Sequence, residues 1–299
     1  MSTPSAADRV ILGTATPGGG FPVYGAAVAE TINATDPTLI VETRNTRGST
    51  ENVPLLESGE LDLGLVQGEV AHEALSGIGR PPANLTILIA MYTTPGLFVV
   101  RADSPYRSIA DLKGQRVVFG ARGSGLVVLA RYVLEGLGLD QMRDFDAVLL
   151  DHAGDGPAMI LDGRAAALWG GGMGWPGFVA VSRGPAGARF LAPDATDIAK
   201  IRAKHPFLAP VAVPGGSYPG QDAAITSVSS WSFIMARSTL RADIVYRLAR
   251  ALHVGEAALH ARLAQARETT AANTVAAAPR LDVIHPGALR YFREIGLAR

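Results

Sequence analysis

Short apolar runs alternate with amphipathic stretches along most of the chain, and glycine clusters mark the changes from one to the other. Val10–Leu12 predicts a buried strand, and Ala26–Asn33 carries apolar residues at helical spacing. Thr38–Thr43 alternates as a strand does. Thr50–Glu57 reads as a helix, with Gly59 as its stop. Leu61–Val66 is a strand, Glu69–Leu75 a helix, and Leu85–Met91 and Leu97–Val100 are strands. This rhythm predicts an α/β fold with a parallel or mixed sheet covered by helices.

The rhythm then restarts. Ser108–Leu112 is a short helix and Arg116–Phe119 a strand. A glycine loop, Gly120–Gly125, precedes the helix Leu126–Leu137, for which Ser124 is the candidate N-cap. Asp146–Leu150 is a strand, Gly156–Leu161 a helix stopped by Gly163, and Ala165–Trp169 a strand. The two series echo one another: "GTATPGGG" and "GARGSG" each stand before a helix, and "GSTENVPLLESGELDLGLV" and "GDGPAMILDGRAAALWG" each read helix, glycine, strand. The echo predicts two similar α/β lobes.

A third part follows, with a helix at Asp194–Lys204, a Pro/Gly-rich extended crossing, a strand at Val228–Met235, a largely helical Arg241–Arg267 and a terminal helix at His285–Gly296. The expected division is a discontinuous first lobe, residues 1–101 plus 208–299, and a second lobe, 102–207, with hinges near 100–102 and 206–213.

Composition narrows the function. The chain has 299 residues, enough for two domains, and 48% of them are hydrophobic. Lys+Arg and Asp+Glu both number 27, so no basic surplus suits a nucleic-acid backbone or an anionic membrane. The absence of cysteine excludes disulfides, thiolate metal sites and a cysteine nucleophile. No run of about 18 apolar residues suggests a transmembrane helix. Met1–Asp8 lacks the basic-then-apolar order of a signal peptide, and reads as the loose start of a mature chain. A cytoplasmic protein and a mature secreted chain with an added Met1 both fit.

Several chemistries lack their motifs. There is no GxxxxGK[ST] phosphate loop, and "GARGSG" lacks dinucleotide-binding spacing. Arg122 stands where a GxSxG serine motif around Ser124 needs its first glycine. The six histidines are scattered without metal-ligand spacing, so neither metal nor cofactor is expected. His152, beside Asp151 and near Asp155, is the best acid–base candidate, but it reads first as a surface-loop histidine. Asp62 at a strand entry reads as a structural acceptor. What remains is a set of glycine loops at predicted strand ends, "TPGGG", "TRGSTEN", "ARGSG" and "WGGGMGW". In open α/β sheets these ends face the ligand, and glycines let backbone N–H groups approach it.

In order along the chain, "GTATPGGGFPVYGAA", "TRGSTENVPLLESGELDLGLVQ", "FVVRADSPYRSIADLKGQRVVFGARGSG", "PFLAPVAVPGGSYPGQDAAITSV" and "IHPGALRYFREIG" resemble the motifs of TAXI-type solute-binding proteins of TRAP transporters. The resemblance implies a two-lobed, type II periplasmic-binding-protein-like fold with a ligand cleft between the lobes. It implies a monomeric periplasmic receptor without enzymatic activity, which captures a small carboxylate such as an amino acid, 2-oxo acid or dicarboxylic acid and delivers it to a TRAP permease. A periplasmic sensory protein reporting to a membrane receptor, and an enzyme on a bilobal fold, are the alternatives.

Residue by residue, the resemblance carries ligand binding to Thr14, Thr16, Gly18, Gly19 and Phe21 of the first loop. It extends to Ser49, Asn52, Gln67, Gly123, Ser124, Gly171 and Gly172. Three departures stand out. Phe21-Pro22 replaces a tyrosine pair, Arg47 replaces a glycine, and Trp169 and Trp175 flank the last loop where small or hydroxyl residues are usual. Arg47, or else Arg122, is the candidate clamp for a carboxylate. Phe21 and Trp175 offer flat apolar surface to the ligand, and Trp175 equally suits a core.

Overall fold

The structure, a computed structural model, describes residues 7–299; the loose start read at the N-terminus lies largely outside the described residues. The apolar run at Val10 is realised in β1 (Asp8–Gly13), where Val10 and Leu12 are buried and Ile11 between them is exposed on the opposite face. After it come α1 (Gly20–Thr35), β2 (Leu39–Arg44), α2 (Ser49–Ser58), β3 (Leu63–Val66), α3 (Gly68–Ser76) and β4 (Leu85–Thr93). The second series is β5 (Gly96–Arg101), β6 (Arg116–Ala121), α4 (Gly125–Gly136), β7 (Asp146–Leu150), α5 (Gly156–Leu161), β8 (Ala167–Gly171), α6 (Pro176–Ser182), β9 (Ala188–Leu191), α7 (Ala195–Lys204), β10 (Ala209–Val213) and β11 (Ile225–Ser229). The chain ends with β12 (Trp231–Arg237), α8 (Ala242–Val254), α9 (Glu256–Arg262), α10 (Ala271–Ala277) and α11 (Pro286–Glu294).

These elements form two compact units. Unit 1 holds the chain up to Ala15, Phe21–Tyr92 and Trp231–Arg299; unit 2 holds Thr16–Gly20 and Thr93–Ser230. The sheet of unit 1 has the order β2-β1-β3-β12-β4, with β1 parallel to β2 and β3, and β12 antiparallel to β3. Its core joins Val10, Leu12, Leu63 and Leu65 to Tyr24, Val28 and Ile32 of α1, and to Leu248, Leu252 and Phe292 of α8 and α11. The outer edge of β4 is closed by the C-terminal segment. His285 N–H donates to Ile87 O at 2.9 Å, Ala90 N–H to Thr274 Oγ1 at 2.9 Å, and Thr269 Oγ1 to Met91 O at 2.8 Å. A sheet edge covered in this way presents no unpaired template to another chain.

Unit 2 repeats the plan. Its sheet runs β7-β6-β8-β5-β9, with β6 parallel to β7 and β8, and β5 antiparallel to β8 and β9. Every residue of β8 is buried, because α4 and α5 both pack on it, and its sequence is apolar and glycine-rich rather than alternating. β10 and β11 form a separate antiparallel ribbon.

The unit boundaries differ from the expected division. Residues 93–101 and 208–230 lie in unit 2, because β5 pairs with β8 and β9, and Ser227 Oγ of β11 donates to Gly96 O at 2.6 Å. The strand expected at Val228–Met235 is two strands, β11 and β12, separated at Ser230. The largely helical stretch expected over Arg241–Arg267 is α8 and α9, which meet at Gly255, where an added Cβ would lie 2.5 Å from Thr31 Cγ2 of α1. The glycine allows the α8–α9 elbow to lie against α1. Gly59 and Gly163 end α2 and α5 as expected, each at a positive φ of 79°. Ser124 caps α4, its Oγ accepting from Leu126 N–H at 3.2 Å. Among the described residues, no helix is long and apolar enough to cross a membrane.

Candidate functional site

In unit 1, three parallel strands end side by side. Thr14 follows β1, Asn45 and Thr46 follow β2, and Gln67 follows β3. Thr14, Thr46, Ser49, Asn52 and Gln67 are all buried there. Asn52, on α2, donates both amide hydrogens, to Thr14 O and Leu65 O, each at 2.8 Å. It ties the end of β1 to β3 and so acts as a brace. Thr46 Oγ1 donates to Thr14 O at 3.1 Å and accepts from Gly48 N–H at 3.1 Å, which shapes the turn into α2. Thr14 Oγ1 donates to Arg44 O at 3.2 Å.

Ser49 and Gln67 join two helix starts. Ser49 opens α2 and Gln67 is the N-cap of α3; Gln67 N–H donates to Ser49 Oγ at 3.0 Å. Gln67 does not cap with its side chain, and its Nε2 is buried without a hydrogen-bond partner. A buried donor left without an acceptor costs about 1–3 kcal/mol, so this amide is poised to take an oxygen atom. Arg47, the expected clamp, lies outside this cluster. Its side chain is 79% exposed beside Glu51, whose carboxylate accepts from Arg47 N–H at 2.5 Å. Phe21 is partly buried against the core of unit 1.

In unit 2 the equivalent strand ends are β6, β7 and β8, followed by Arg122–Ser124, Asp151–His152 and Gly172. Gly123 is buried, and the Ser124 hydroxyl is engaged in capping α4. Arg122 and Asp151 form an exposed pair at 3.6 Å, with the arginine side chain 66% exposed. His152 is exposed. Gly171 and Gly172 are buried, and an added Cβ at Gly171 would lie 2.6 Å from Pro95 O. Gly172 adopts a φ of 87°, and its carbonyl accepts a hydrogen bond from Tyr218. Burial pushes the Tyr218 hydroxyl above its ordinary pKa, so it remains a donor.

Trp175 is buried in unit 2, edge-on to Phe178 with ring centroids 5.0 Å apart. Gly170 and Gly177 make room for it, since a Cβ on either would come within 2.6 Å and 2.2 Å of the indole. The Thr16–Gly20 segment belongs to this unit. Thr16 Oγ1 accepts from Ala153 N–H at 3.2 Å, and Gly19 N–H closes a turn onto Thr16 O at 3.4 Å. Gly18 has a φ of 83°, and a Cβ there would lie 2.5 Å from Gly154 Cα. These glycines serve close backbone approach and a turn.

The sequence-derived set therefore falls into two groups. Thr14, Ser49, Asn52 and Gln67 gather in unit 1; Thr16, Gly18 and Gly19 lie against the 153–154 turn of unit 2, where Gly171 ends β8 and Gly172 and Trp175 follow it. Thr46 and Tyr218 were not among the expected residues. Thr46 opens the "TRGSTEN" segment and Tyr218 lies in "SYPGQD", so both stood inside motifs already singled out.

Comparison with known proteins gives a family and a fold. Residues 12–296 match the NMT1-like family. A protein of Bordetella bronchiseptica superposes with a TM-score of 0.59 at 13% identity, over 97% of this chain and 98% of that one. The alkanesulfonate-binding protein SsuA from Xanthomonas axonopodis pv. citri, bound to MOPS, gives 0.56 at 18% identity, over 98% of this chain and 85% of that one. A TctC solute-binding protein from Polaromonas gives 0.53 at 16% identity, over 90% and 91%. The fold is thus the two-unit α/β architecture of periplasmic binding proteins, with the sheet order described above.

Proposed function

The chain belongs to the NMT1-like family, and on that premise we propose that it is a periplasmic receptor that captures a small organic solute and passes it to a membrane transporter. The observation that carries this reading is the buried Gln67 amide with an unsatisfied donor, set at the ends of parallel strands where α/β folds receive ligands. Two proteins of similar fold, SsuA and TctC, are solute binders by name, which supports the same reading.

The ordered motifs favour a TAXI-type receptor serving a TRAP permease, and a solute with a carboxylate or related acid group such as an amino acid or dicarboxylic acid. The protein itself performs no reaction in this account. Binding stabilises the state that binds, and a solute at about 100 times its dissociation constant adds roughly 2.7 kcal/mol. The test is a thermal-shift screen of the purified chain against mono- and dicarboxylates, sulfonates, amino acids and their amides. A saturable shift from one chemical class, matched by calorimetric binding with 1:1 stoichiometry and no turnover of the compound, is expected. No shift across the panel, or conversion of the compound, would contradict the receptor reading.

A further inference from the structure

The charges around the unit 1 strand ends are arranged against an ion-pair clamp. None of the described lysines or arginines is buried, and Arg47, the cation nearest in sequence to the cluster, has its guanidinium in solvent. Among the described residues, the one buried carboxylate of unit 1 is Glu69, two residues beyond Gln67 in the first turn of α3, where it is already partnered. The groups left to face a solute are uncharged. They are Gln67 Nε2 and Asn52 Oδ1, both buried without a partner, and Ser49 Oγ, which accepts from Gln67 N–H and has its own proton to give. Both sit at the starts of helices of nine and ten residues, whose first N–H groups and dipoles favour an acceptor oxygen.

We infer that unit 1 holds an acyl oxygen of its solute by neutral donors, and reads a carboxylate and a carboxamide alike. This rests on the receptor reading above and adds the chemistry of recognition to it. A cation clamp discriminates strongly for the ionised group and weakens as salt screens it; a neutral donor set does neither. Gln67 is the residue that meets the oxygen, Ser49 both fixes the Gln67 backbone and shares the oxygen, and Asn52 holds the two strand ends that place them.

The experiment uses the full chain labelled with nitrogen-15 and two fragment probes, acetate and acetamide, titrated at constant ionic strength. The Gln67 side-chain N–H signals are identified by their loss in Gln67→Met. Both probes should move these signals, with dissociation constants within about fivefold of each other. Arg47→Ala should change either constant by less than about twofold, as expected for an exposed arginine. Gln67→Met should weaken both probes by about tenfold or more while the thermal midpoint stays close to that of the parent. If the methionine variant does not fold, Gln67→Glu keeps the shape and removes the donors, and should weaken both probes, acetate the more.

Binding of acetate with acetamide silent, together with a large loss in Arg47→Ala, would overturn the inference and leave the receptor reading standing. Failure of both probes to move the Gln67 signals would also overturn it. The receptor reading fails separately, in the thermal-shift screen, if no compound stabilises the chain.

Discussion

The two units share a strand plan and differ in what they place at the strand ends. β1 lies between β2 and β3 in unit 1 as β6 lies between β7 and β8 in unit 2, all in parallel, and an antiparallel strand, β12 or β5, follows on the far side of β3 or β8. Unit 1 puts a buried set of hydroxyls and amides there: Thr14, Thr46, Ser49, Asn52 and Gln67. Unit 2 puts glycines there, a capping serine, an exposed Arg122–Asp151 pair, and the indole of Trp175 wedged between Gly170 and Gly177. One frame therefore supports two kinds of surface. Buried polar groups need partners, so the unit 1 ends are held by side-chain hydrogen bonds. The unit 2 ends bury fewer such groups and rest on ring packing together with isolated side-chain bonds, from Tyr218 to Gly172 O and from backbone N–H groups to the hydroxyls of Ser124 and Thr16.

The comparison breaks most visibly if the packing wedge is removed. Trp175→Ala should destabilise unit 2 by about 3–5 kcal/mol, the usual cost of emptying a buried aromatic site. Hydrogen exchange resolved by peptide should show the loss in β8 and α6, with β1–β3 protected as before. Next comes the polar brace. Asn52→Leu removes the bonds from Asn52 to the Thr14 and Leu65 carbonyls, Thr14 O keeping only its bond from Thr46, and should cost about 1–3 kcal/mol, read by denaturant unfolding and by faster exchange at the ends of β1 and β3. A smaller effect is expected at the unit 2 tether: Tyr218→Phe keeps the stack on Phe190 and loses the bond to Gly172 O, for about 1–2 kcal/mol. Equal losses in both units from any one of these variants would contradict the separate anchoring.

The smallest effect concerns acid. His285 is buried; its Nε2 lies 3.0 Å from Leu240 O, and its Nδ1 accepts from Gly287 N–H at 3.1 Å, so the ring is neutral in the fold. Burial holds its pKa below the ordinary 6.5. The unfolded chain then takes up the proton first, so this contribution to stability is full above 6.5 and is lost as pH falls below it. His285→Gln should be less stable than the parent at about pH 8 and lose less on acidification to about pH 5. A parallel pH dependence in parent and variant would remove His285 as a source of the slope. His72 and His205 are shifted in the same direction by burial and add to the slope.

Much of this frame was legible in the chain. The run expected as a strand over Leu61–Val66 is β3, whose residues are all buried, Val10 and Leu12 place β1 on the same core, and Gly59 and Gly163 stop helices because only glycine takes their positive φ at little cost. The unit boundaries were not legible. Gly96–Arg101 looks like any buried strand, and only pairing with β8 and β9 assigns it to unit 2. The same limit applies to the site. Ser49, Asn52 and Gln67 belong to one motif-bearing segment and gather as expected, but their roles follow from partners that periodicity does not encode. Asn52 spends both amide hydrogens on backbone carbonyls, while Gln67 spends none from Nε2. Arg47 sits inside the segment in sequence and outside the cluster in space, because its backbone turns into α2 and Glu51 draws the side chain to the surface.

The central claim is most directly tested by solute capture. The parent chain and Gln67→Met would be incubated with a metabolite extract, washed under native conditions and analysed by mass spectrometry for small molecules that remain bound. The account predicts that the parent retains one small polar solute with an acyl oxygen at close to one per chain, and that Gln67→Met retains little of it. Retention of the same solute in equal amount by both proteins, or of nothing by either, would contradict it.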